Sequence, residues 1–81
     1  MKIRAIYDNG GETLDRYTIY YGEKNKTNNL YECIALSENP NSPLGFYQHT
    51  MGEPGRHNGK KIKLTDLPLE CQKSILAELK E

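Results

Sequence analysis

Apolar and polar positions alternate through much of the first half of the chain, with the period of two that sends side chains to opposite faces of a β-strand. Over residues 3–7, Ile3, Ala5 and Tyr7 share one face, and Arg4 shares the other with Ile6. Asp8-Asn9-Gly10-Gly11 follows, and Asn-Gly supplies the positive φ angles that a tight hairpin demands. A second strand is predicted from about Asp15 to Tyr21, with Tyr17, Ile19 and Tyr21 opposite Arg16, Thr18 and Tyr20. Polar, lysine-bearing residues 22–29 read as an exposed loop. Leu30 to Leu36 then carries an apolar residue at nearly every position, the pattern of a central strand covered on both faces. Leu30, Ile34 and Leu36 fall on one side with Glu32, and Tyr31, Cys33 and Ala35 on the other.

Pro40 and Pro43 exclude a helix or inner strand over residues 37–43, because each proline lacks a backbone donor. Leu44 to Thr50 is predicted as a fourth strand through Phe46, Met51 to Gly59 as a loop, and Lys60 to Leu64 as a fifth strand. In that fifth strand Ile62 and Leu64 point inward, and Lys61 and Lys63 outward. The chain closes with a helix opened by Asp66, Pro68 and Glu70. Its apolar stripe is Leu67, Cys71, Ile75 and Leu79, widened by Leu76, with Gln72, Lys73, Glu78 and Lys80 on the outer side. The expected architecture is α+β: one domain over residues 1–81, in which a small antiparallel sheet of about five strands is covered by one C-terminal amphipathic helix. The stripe should bury against Ile19, Ile34, Leu36 and Ile62.

Composition bears on foldability and context. Only 36% of the residues are hydrophobic, but the formal net charge is zero and six Tyr are distributed along the chain, which excludes disorder driven by charge repulsion. No apolar run approaches the ~20 residues that span a bilayer, so no membrane contact is expected. The polar start and end carry neither a signal-peptide core nor a lipidation tail, and two cysteines fit a reducing, cytoplasmic setting better than a disulfide scaffold. A domain of this size draws little stability from one core, about 3–5 kcal/mol, which favours self-association as a homodimer.

Candidate chemistry concentrates in residues 52–61. Gly55, Arg56, His57, Gly59, Lys60 and Lys61 combine glycines, whose backbone N–H groups converge easily on an anion, with cationic side chains and no acid beyond Glu53. An anionic ligand, a nucleotide or a nucleic-acid backbone, is the chemistry that this pattern suits. The segment is not a P-loop: Pro54 stands where that motif needs glycine, and Lys61 where it needs Ser or Thr. Zero net charge argues against a general nucleic-acid binder. Cys33, His49, His57 and Cys71 match no familiar zinc spacing, no cofactor motif occurs, and no His, Cys or carboxylate falls in a catalytic constellation. The expectation is therefore a non-catalytic module that binds a protein partner, with loops 22–29 and 37–45 making the contact.

Asp15-Arg16-Tyr17-Thr18-Ile19, then Leu36-Ser37-Glu38-Asn39-Pro40 with Pro43, Gly45, Phe46 and Gln48, then Gly59-Lys60-Lys61-Ile62, and Leu67-Pro68 before a helix with Gln72 together resemble small proteins encoded by bacterial viruses and prophages. The resemblance spans almost the whole chain and brings no activity or site residues. It implies a compact accessory protein in a bacterial cytoplasm that binds, and thereby inhibits, a host or defence-system protein.

Overall fold

The computed structural model describes residues 1–79. Five strands, β1 (Ile3–Asp8), β2 (Tyr17–Tyr21), β3 (Tyr31–Leu36), β4 (Tyr47–Gly52) and β5 (Lys60–Ile62), precede one helix, α1 (Leu69–Leu79). They form a single antiparallel sheet in the order β4-β3-β2-β1-β5, so the fold is the small α+β architecture expected.

Strand alternation divides the core into two clusters. On the helix face, Tyr17, Ile19 and Tyr21 of β2 and Ile34 and Leu36 of β3 pack with Ile6 against Leu67, Cys71, Ile75 and Leu79, with Ile62 alongside. The predicted helix stripe and its predicted counterparts therefore meet. Ala5, Tyr7, Tyr20 and Cys33 form the second cluster on the opposite face, where the Tyr7 and Tyr20 rings meet edge-to-face at 5.9 Å. Cys33, Ile34, Ala35 and Leu36 are all buried, as a strand covered on both faces requires.

Several local expectations are corrected. Ile3 leaves the face of Ala5 and Tyr7, because the β1–β2 register shifts between Ile3 and Ala5. The irregularity takes up Arg4 as an extra residue, and Ile3 turns to the helix face. Arg4 instead reaches Gly22 O and Glu23 Oε2, both at 2.7 Å. The first hairpin is not tight: residues 9–16 form a loop, in which Asp8 Oδ1 accepts from the Gly10 amide and Asn9 Oδ1 from those of Gly11 and Glu12. β4 starts at Tyr47 and continues through Met51 to Gly52, whereas Leu44 sits on a turn closed by the Gly45 amide on Ser42 O at 2.8 Å. β5 stops at Ile62, because the Asp66 carboxylate accepts the Lys63 amide at 2.9 Å and turns residues 64–66 into a short 3-10 turn. Leu76 is 52% exposed and lies off the buried stripe. Lys80, expected on the outer helix surface, lies outside the described residues.

Candidate functional site

β4 and β5 occupy opposite edges of the sheet, so the chain between them has to cross it. Residues 53–59 make that crossing over the second face, with a 3-10 turn at Arg56–Asn58. Tyr20, on that face at the centre of the sheet, holds the crossing segment in place. Its hydroxyl lies 2.8 Å from Asn58 Oδ1 and 3.1 Å from Glu53 O, and the Asn58 amide nitrogen donates to Glu53 O at 2.9 Å and to Gly55 O at 3.1 Å. Burial, the largest influence, pushes the Tyr20 phenol up to about 12, so the hydroxyl keeps its proton for this role.

Two glycines here serve close approach. A Cβ on Gly59 would stand 2.4 Å from Asp8 O, at a φ of 114° that L side chains rarely adopt. A Cβ on Gly52 would meet the Tyr20 hydroxyl at 2.9 Å. The segment exceeds the length of a turn because it crosses a sheet.

The six residues expected to hold an anion are only partly brought together. Arg56 and His57 are exposed on the crossing segment. The Gly59 amide is already used, donating to Arg56 O at 2.9 Å, and Gly55 O accepts from the Asn58 amide at 3.0 Å. Lys61 pairs with Tyr7 and therefore shares the second face, whereas Lys60 pairs with Asp8 and belongs to the helix face. Asn58, which organises the segment, was absent from the sequence-derived site; a lone Asn before Gly reads only as turn chemistry.

A second feature lies at the end of the sheet where residues 9–16 and 37–46 approach each other. They enclose a cleft of about 420 Å³ lined by, among others, Leu14, Arg16, Ser37, Glu38 and Leu44. Arg16 donates to Asp8 through Nε at 2.7 Å and Nη2 at 3.1 Å, pairs with Glu38 at 3.3 Å, and lies 5.3 Å from the centre of the Tyr17 ring. The Arg16 hydrogen bond, above all, holds the Asp8 carboxyl below its usual range. Ser37 anchors the other wall: its amide donates to Phe46 O, its hydroxyl accepts the Phe46 amide, and its carbonyl accepts the Cys71 thiol at 3.3 Å. On this fixed frame Leu14 and Leu44 are 58% and 85% exposed. Loop 22–29 joins β2 to β3 at the end of the sheet opposite loop 37–45. The sequence signal for the cleft was weak: single leucines inside two turn-rich stretches.

Burial pushes the Cys33 and Cys71 thiols up to about 11, as expected of small apolar core groups. Among the described residues, no group of His, Cys, Asp and Glu could hold a metal ion, and no helix is long and apolar enough to cross a membrane. Comparison with protein-family models, curated proteins and solved structures gives no match.

Proposed function

We propose that the chain is a non-catalytic protein-binding module that acts by occupying a partner's surface. The observation that carries this reading is the cleft flanked by Leu14 and Leu44. Two large apolar side chains stand in water on loops that Arg16 and Ser37 tie to the sheet, so their burial by a partner releases apolar hydration at little ordering cost. Exposed polar groups beside them, from Glu38 and Asn39, suit a contact with an apolar anchor and hydrogen-bonding surroundings. The resemblance to proteins of bacterial viruses and prophages directs the search toward a host or defence-system protein, which such binding would inhibit.

The test is affinity capture from bacterial lysate with the native chain and with a Leu14→Ser, Leu44→Ser variant, followed by titration of the purified partner. Loss of at least about tenfold in affinity is expected for the variant. Repeated capture of no protein while a nucleotide or nucleic acid copurifies overturns the reading and favours an anionic ligand. For that ligand the relevant groups are Arg56, His57 and Lys61, which share the second face. Phosphate titration followed by NMR at residues 52–61 decides it, because phosphate-driven binding weakens steeply with salt.

A further inference from the structure

The two edges of the sheet are treated differently by the chain. Ladder polarity follows from the Ser37–Phe46 pair, in which the Ser37 amide donates to Phe46 O and the Phe46 amide to Ser37 Oγ. Counting along the β3–β4 register from that bonded pair, Gln48, Thr50 and Gly52 direct their backbone groups to β3. Tyr47, His49 and Met51 therefore direct N–H and C=O outward, away from the sheet. The same alternation on β5 leaves only Lys61 facing outward between two residues whose amides are engaged: Gly59 on Arg56 O and Lys63 on the Asp66 carboxylate. Shortness and lysines blunt the β5 edge. The β4 edge has six residues in continuous register, no proline, no lysine and no bulge.

We infer that the β4 edge pairs with the β4 edge of a second copy of this chain, antiparallel about a two-fold axis at His49. This register brings all three outward-facing residues into bonded pairs: His49 with His49 of the second copy, and Tyr47 with Met51 of the second copy, twice. Six backbone hydrogen bonds result. The side-chain pairing is what selects a second copy as occupant. β4 contains no Asp, Glu, Lys or Arg; His49, on the axis, lies 3.4 Å from Glu78 of its own chain, and the Tyr47 hydroxyl donates to the same carboxylate at 3.1 Å, so each copy brings its imidazole to the axis already paired with an acid. On the helix face Tyr47 meets the thioether of Met51 from the second copy, and Met51 is 38% exposed in the single chain. On the other face Gln48 lies opposite Thr50 of the second copy, a neutral hydrogen-bonding pair. The product is a continuous ten-stranded sheet with both helices on one face.

An interface of one strand pair is small, which places dissociation on the order of micromolar or weaker. The test follows mass by analytical ultracentrifugation from about 10 μM to about 1 mM, with amide exchange by NMR over the same range. Expected is a reversible dimer in which the amides of Tyr47, His49 and Met51 gain protection with concentration, whereas those of Gln48 and Thr50 are protected throughout. His49→Pro removes one outward donor and leaves the β3–β4 ladder intact, so it should weaken association at least about tenfold while Gln48 and Thr50 stay protected. A chain that stays monomeric at the highest concentration overturns the inference. So does a dimer in which those three amides exchange freely, since its interface lies elsewhere.

Discussion

Asn58→Ala tests how the crossing segment is held. The native side chain accepts from the Tyr20 hydroxyl at 2.8 Å and donates to Glu53 O and Gly55 O at 2.9 and 3.1 Å. A net hydrogen bond is worth about 0.5–1.5 kcal/mol, and the two donated bonds lie where water replaces part of the loss. The Tyr20 hydroxyl retains Glu53 O at 3.1 Å. The expected cost is therefore about 2 kcal/mol, a melting shift of roughly 8–16 °C for a domain of this size. Tyr20→Phe alone should cost about 1 kcal/mol, because the ring stays packed against Tyr7 and only the hydroxyl is lost. Since the two share one bond, urea unfolding of both singles and the double variant should give a coupling of about 1 kcal/mol with unchanged m-values. Strict additivity, or an Asn58→Ala chain as stable as the native one, would show that the crossing segment is not fastened through Tyr20.

Three further outcomes are expected. Ile75→Ala, at a fully buried position between helix and sheet, should cost about 2–5 kcal/mol in chemical denaturation, and an unchanged midpoint would refute the packing. Gly59→Ala should destabilise by at least about 2 kcal/mol, because its Cβ meets Asp8 O at 2.4 Å; circular dichroism melting showing no loss would refute the close approach. Asp8, with its folded value lowered chiefly by the Arg16 hydrogen bond, contributes stability that is present above about pH 4 and lost as pH falls through the folded value. Asp8→Asn should thus be less stable at neutral pH and show a shallower acid slope below about pH 4, checked by urea midpoints against pH.

Faces were legible in the sequence, and neighbours were not. Period-two alternation assigned Tyr17, Ile19, Ile34 and Leu36 to the helix side and Cys33 and Tyr20 to the other, because side-chain direction within a strand is a local property. The four-residue spacing of Leu67, Cys71, Ile75 and Leu79 likewise determined which helix stripe is buried. Pairing order is a long-range property with no local signature. Placing β5 beside β1 rather than β4 turned the loop expected over residues 51–59 into a segment that crosses the sheet, and made Asn58 its fastener. The same pairing sent Lys60 and Lys61 to opposite faces and dispersed a cluster that looked contiguous along the chain. The shift at Arg4 moved Ile3 across the sheet, since one extra residue inverts every side chain on one side of it. The cleft between residues 9–16 and 37–46, and the open edge of β4, exist only once the strands are ordered, because each depends on which segments end up adjacent in space or left without a neighbour.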